Sequence, residues 1–111
     1  MKIILKPQRK AAPMTLEKQG EKLIINGEEL DLSGIPNGAT LEKRHLPDIG
    51  LFAGDIERDN AGELTIRLIL PFGKNAPHET RFPEPITVTA DGPVTLPVYG
   101  TPPEEEDDNP A

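Results

Sequence analysis

Two tight turns, at residues 20–21 and 26–27, constrain this chain more than any other feature. Gly20-Glu21 is a two-residue turn with glycine first. Asn26-Gly27 is the dipeptide best suited to a two-residue hairpin, because both residues accept positive φ. A two-residue loop at Gly20-Glu21 sets Leu16 opposite Ile25 and Lys18 opposite Leu23. A two-residue loop at Asn26-Gly27 sets Leu23 opposite Leu30 and Lys22 opposite Asp31. The two registers agree, since together they gather Leu16, Leu23, Ile25, Leu30 and Leu32 on one face. A slip of one residue in either would turn its whole set to the other face. A three-stranded antiparallel meander with one apolar face is therefore expected over residues 14–32.

A second meander begins near Leu51. Phe52, Gly54 and Ile56 alternate with Asp55, Glu57 and Asp59, and the partner run is Glu63 to Leu70. Asn60-Ala61-Gly62 between them reads as a three-residue loop with Gly62 left-handed, the G1-bulge hairpin. That loop pairs Ile56 with Ile66, Phe52 with Leu70 and Asp55 with Arg67. Two meanders with one apolar face each bury those faces against one another.

Shorter signals fill in the rest. Residues 2–6 read as a strand stopped by Pro7, and Pro71 is expected to close the strand that ends at Leu70. Residues 40–46 can form one or two helical turns with Thr40 as N-cap, ended by Pro47. Ile86-Thr87-Val88-Thr89 and Val94-Thr95-Leu96 bracket Asp91-Gly92 as a last hairpin, with flanking prolines that suit edge strands. Ten glycines and thirteen prolines in 111 residues make the chain rich in turns and poor in helix. Leu, Ile, Val and Phe make up about a quarter of it, above the roughly 20% below which chains tend to stay disordered. The fold class expected is all-β: a small antiparallel β-meander or sandwich with proline-rich loops and at most one short helical turn. One β-rich domain is expected over residues 1–100, followed by a disordered acidic tail over 101–111.

Charge and residue inventory exclude most function classes. The net charge is −7, but five of the nineteen acids lie in the tail, leaving fourteen acids against all twelve bases in residues 1–100. A nearly neutral body is a poor nucleic-acid binder, and the basic cluster Lys2, Lys6, Arg9 and Lys10 has no interleaved aromatics for stacking. With no cysteine there is no disulfide framework or thiolate metal site. His45 and His78 stand in no metal-ligand spacing. Asp55, Glu57, Asp59 and Glu63 resemble a calcium loop, but the sixth and twelfth positions are Asn60 and Ile66. They read instead as a solvated strand face with Asp55 paired to Arg67. Ser33 is the only serine and lies in no nucleophile elbow. Neither an enzymatic activity nor a cofactor is expected, and no small-molecule substrate. The apolar run of Ile3-Ile4-Leu5 is too short for a signal peptide, and no stretch approaches a membrane span. A cytoplasm, or export only inside a larger assembly, is the expected location.

The segment from Phe72 to Pro85 carries turn residues, both charge signs, a histidine and a phenylalanine. Long loops of this kind are often functional. It has two readings: a binding loop held out by rigid strands, or a crossover whose Phe82 plugs one end of the core. On the first reading Phe72, His78, Arg81, Phe82 and Tyr99 are the candidate protein-binding residues, since aromatic and arginine side chains dominate interface energetics.

Residues 52–58 (Phe-Ala-Gly-Asp-Ile-Glu-Arg) and 68–83 (Leu-Ile-Leu-Pro-Phe-Gly-Lys-Asn-Ala-Pro-His-Glu-Thr-Arg-Phe-Pro), together with residues 1–5 and the turn at 25–28, resemble a family of small bacteriophage and prophage proteins from the tail and tail-fibre region. The resemblance runs over residues 1–98. It implies a virion or virion-assembly role with other tail or tail-fibre proteins, or further copies of this chain, as partners. A structural or accessory tail component, a tail-fibre assembly chaperone absent from the mature particle, and an acidic inhibitor of a host enzyme are the three classes compatible with it. The even charge of residues 1–100 argues against the third.

Overall fold

The computed structural model describes residues 1–100, so the expected disorder of 101–111 lies outside the described residues. Among the described residues nine strands form two sheets. The first sheet is built on the predicted meander: β2 (Leu16–Gln19), β3 (Lys22–Ile25) and β4 (Glu28–Asp31). All four expected pairs are present: Leu16 with Ile25, Lys18 with Leu23, Leu23 with Leu30, and Lys22 with Asp31. Gly20 has φ 61°, and Asn26 and Gly27 have φ 51° and 85°, the positive values these turns require. The order of this meander sheet is β4-β3-β2-β9.

The other sheet corrects the expectation of purely antiparallel pairing. Its central pair, β1 (Lys2–Arg9) and β7 (Leu64–Phe72), runs parallel, with Lys2 beside Thr65 and Arg9 beside Phe72. Turn signals report only pairings between sequence neighbours, and no tight turn joins these two strands. The order is β5-β6-β7-β1-β8. Pro7 does not stop β1. Met1 exchanges backbone hydrogen bonds with Val88 on one side, and the Lys10 N–H donates to the Phe72 carbonyl on the other. Backbone groups alternate along a strand, so odd residues address the outer edge. The N–H that Pro7 lacks would therefore point away from β7, where it costs no ladder bond. Pro71 is accommodated likewise. The Ile69 N–H points to Leu51 at 2.7 Å, and two residues on that neighbour has ended.

Near its turn, the predicted second hairpin holds. In β6 (Ile56–Arg58), Glu57 pairs with Thr65 and Arg58 with Leu64, the register that sets Ile56 opposite Ile66. Gly62 is left-handed at φ 93°, and the Asp59 carboxylate accepts the N–H groups of Ala61 and Glu63, both at 2.9 Å. Farther out the register changes, because Phe52 bridges Leu68 and not Leu70. Two extra residues bulge out between Phe52 and Ile56. An even insertion keeps the side-chain alternation, so Phe52 still faces inward. The bulge makes room for Arg67, whose side chain lies against Gly54 where a Cβ would meet it at 2.9 Å. Arg67 donates to the Asp55 carbonyl at 3.0 Å and contacts the Glu57 carboxylate at 3.4 Å, so the expected Asp55–Arg67 ion pair is replaced by Glu57–Arg67. The Asp55 carboxylate instead accepts the Lys43 N–H at 2.8 Å.

Three more expectations change. Thr40 does not cap a helix: β5 (Thr40–Leu41) pairs with β6, and only Lys43–His45 form a 3-10 turn. A second single turn, α1 (His78–Arg81), lies in the long segment, one more than the single turn expected. The last hairpin is not formed. β8 (Ile86–Thr87) joins β1, and β9 (Gly92–Pro93) joins β2, so residues 86–93 cross from one sheet to the other. Both are edge strands, as their prolines require.

The inward residues of both sheets form one core. Ile3, Leu23, Ile25, Leu32, Ile56, Ile66 and Leu68 are fully buried in it, and Leu70, Leu16, Phe52 and Leu51 nearly so. The result is a β-sandwich-like domain. Among the described residues no helix is long and apolar enough to cross a membrane.

Candidate protein-interaction surface

The long segment 72–85 emerges from the end of β7, and the final described residues, 94–100, strap it down. The Val94 N–H donates to the Leu16 carbonyl at 2.9 Å, tying the start of the strap to the meander sheet. At its other end the Gly73 N–H donates to the Tyr99 carbonyl at 2.6 Å. The Tyr99 hydroxyl donates to the Lys10 carbonyl just past β1. Gly73 is required here, since a Cβ would lie 2.5 Å from the Tyr99 ring. Thr80, fully buried, donates its hydroxyl to the Val98 carbonyl at 2.7 Å. That contact orients α1. Residues 78 and 82 are four apart and share a face, while residue 80 lies on the opposite one. With Thr80 held inward, His78 and Phe82 face out, their rings 4.8 Å apart and tilted by 33°.

Phe82 is 67% exposed and Val98 59%. Of the two readings of the segment, the one in which Phe82 plugs the core is therefore overturned. The Arg81 guanidinium lies 5.8 Å from the centre of the Phe72 ring, within the range of a cation–π contact. The five sequence-predicted residues thus lie at one end of the sandwich but in different roles. His78, Arg81 and Phe82 are exposed on or beside α1, Phe72 is half-buried under Arg81, and Tyr99 is the anchor of the strap.

Other groups considered from sequence are engaged in holding the fold. Glu63 contacts the N-terminal amine at 3.4 Å, and His45 lies 3.8 Å from Glu42. Among the described residues no three His, Asp or Glu side chains are placed to hold a metal ion. A surface groove of about 640 Å³ is lined by Lys43, Arg44, Pro47, Asp48, Phe52 and Ile69 among others.

Arg58 is the important residue that the sequence reading passed over. It is only 7% exposed. Its guanidinium donates to the carbonyls of Ile35 (2.6 Å), Leu32 (3.1 Å) and Gly62 (3.0 Å), and forms a two-pronged contact with the Glu21 carboxylate at 3.0 and 3.1 Å. This joins the turn of the meander sheet to the β6–β7 hairpin. Its parity was the available signal, since Arg58 falls on the same inward row as Ile56. The Arg58 hydrogen bond holds the Glu21 carboxyl below its ordinary range. Asp91 is lowered by the Gly20 N–H and then by Lys18, at 2.9 and 3.1 Å, and Asp31 by the Ser33 N–H at 2.9 Å. These acids serve the architecture of the meander sheet.

No protein-family model, curated protein or solved structure matches the chain.

Proposed function

We propose that this protein is a non-enzymatic interaction module, a structural or accessory component of a phage tail in the fibre or baseplate region, acting in the virion after assembly in the host cytoplasm. The observation that carries the interaction role is Phe82, a large aromatic two-thirds exposed on a segment that two hydrogen bonds to the strap hold in place, with the strap itself anchored through the Tyr99 hydroxyl on Lys10. Holding a large apolar side chain in water gains nothing for folding, whereas a partner that covers it gains its full burial, about 1.5–3 kcal/mol. A braced presentation also lowers the ordering cost of binding. The placement in a tail is supported by the sequence resemblance over residues 1–98. Mass spectrometry of purified virions is expected to detect the protein, and tagged protein is expected to retain tail proteins from infected cells. Phe82→Ala should reduce that capture by about tenfold, the equivalent of roughly 1.4 kcal/mol. Absence from virions combined with undiminished capture by Phe82→Ala would contradict both halves of the proposal.

A further inference from the structure

The ion pairs of this molecule are unevenly placed. Lys18, Lys22, Arg44, Arg58 and Arg67 each contact a carboxylate. Among the described residues the other seven bases contact none, and four of these seven, Arg9, Lys10, Lys74 and Arg81, are set around Phe72, with Lys2, Lys6 and Lys43 elsewhere. Arg9 is its neighbour across the β1–β7 ladder, and the Lys10 N–H donates to its carbonyl at 3.3 Å. Lys74 follows it by two residues, and Arg81 lies over its ring at 5.8 Å. Inward rows are odd in β1 and even in β7, as Ile3, Leu5, Ile66, Leu68 and Leu70 show. Arg9 and Phe72 therefore stand side by side on that row, beyond the buried run. Two carboxylates share the segment, Glu79 and Glu84, both exposed. The local balance is positive in a chain whose net charge is −7.

We infer that this end of the sandwich is a docking surface for an acidic segment of a protein partner, with partner carboxylates on Arg9 and Arg81 and an apolar neighbour on Phe82. The inference rests on the interface reading above and adds the chemistry of the partner. Planar guanidinium groups match carboxylates with paired hydrogen bonds, and among the described residues Arg9 and Arg81 leave that capacity unused, with the Lys10 and Lys74 ammonium groups beside them. The arrangement suits a short acidic segment better than a nucleic-acid strand. A phosphate backbone needs a continuous cationic track, whereas here Glu79 and Glu84 interrupt it and the net charge of the whole molecule repels a long polyanion.

The test uses the full chain and a fluorescent peptide of alternating Glu and Leu, with the Gln-for-Glu peptide and a single-stranded DNA of similar length as comparisons. The acidic peptide is expected to bind, and more weakly as NaCl rises from about 50 to about 300 mM, because the contacts are exposed and screened. Arg9→Ala with Arg81→Ala should weaken it about fivefold or more, while Lys43→Ala, a cation elsewhere that contacts no carboxylate among the described residues, leaves it unchanged. Equal binding of the Gln peptide, equal or tighter binding of the DNA, or indifference to the double substitution would overturn the inference. A further variant neutralises Glu104, Glu105, Glu106, Asp107 and Asp108 to their amides. If the peptide binds that variant alone, the surface belongs to this chain's own acidic segment and the partner assignment fails. Capture of tail proteins separates the two claims. Loss with Phe82→Ala but not with the arginine pair leaves the interface standing and removes its acidic partner, and loss with neither removes both.

Discussion

The two sheets reach similar order by different routes. In the meander sheet, β2, β3 and β4 follow one another through two-residue turns, and each strand pairs with its neighbour in sequence. In the mixed sheet the central pair joins Lys2 to Thr65 and continues for eight residues, with β2 to β6 intervening along the chain. The first is specified by backbone chemistry at a few turn positions. The second depends on apolar strands finding one another over a long loop, whose closure must be offset by burial. Arg58 stands between them, since it binds the Glu21 turn of one sheet and the Gly62 turn of the other.

Breaking that tie should have the largest effect. Arg58→Ala removes the donor for three carbonyls and leaves a space at the sheet junction. It should lower the unfolding free energy by about 3 kcal/mol, read by urea denaturation. If the sheets are one cooperative unit, fluorescence and far-ultraviolet circular dichroism, with a Trp introduced at Phe52, will report the same midpoint. Separate midpoints would show that the meander sheet survives alone.

Next comes the turn chemistry. Gly27 has φ 85°, and nothing crowds a Cβ there, so Gly27→Ala isolates the backbone cost of the left-handed conformation. It should destabilise by about 1 kcal/mol, whereas Gly34→Ala, with negative φ and open space, should be nearly silent. Equal effects would remove the special standing given to the turn. Tyr99→Phe should cost about 1 kcal/mol or less, since it deletes one hydrogen bond to the Lys10 carbonyl while keeping the ring on Gly73. It should also raise amide exchange at Gly73, whose N–H the same strap engages.

The smallest effect sharpens the comparison through pH. Glu21, Asp31 and Asp91 all lie in or against the meander sheet, and all are held below their ordinary values. A lowered folded value means that their stabilisation is complete above about pH 5 and fades as pH falls through the folded values. Acid should therefore loosen the meander sheet first, and Glu21→Gln with Asp91→Asn should make the stability profile shallower below about pH 4. A profile unchanged by both would show that these carboxylates contribute nothing.

What was legible in the sequence follows the same division. The meander registers, the Gly62 hairpin and the all-β class could be read because Asn26-Gly27, Gly20 and Gly62 act locally. The parallel β1–β7 pair, the split of residues 86–93 between two sheets and the two-residue bulge before Ile56 could not. Each depends on which distant strand supplies the next ladder, and proline positions alone cannot say which edge a missing N–H faces. At the candidate surface, Arg81 and Phe82 stand out by residue type, while the bracing by Thr80, Gly73 and Tyr99 is visible only in the fold. Tyr99, a candidate contact residue by type, anchors the strap through the Lys10 carbonyl.

The central claim is that a rigid sandwich presents Phe82 for a partner to cover. It is tested most directly by the affinity of the full chain for the tail partner proposed above, measured side by side for the natural protein and Phe82→Ala by titration calorimetry. The account predicts about tenfold weaker binding with unchanged thermal stability, because an exposed side chain contributes to the complex and not to the fold. Equal affinities, or a loss of stability matching the loss of binding, would contradict it.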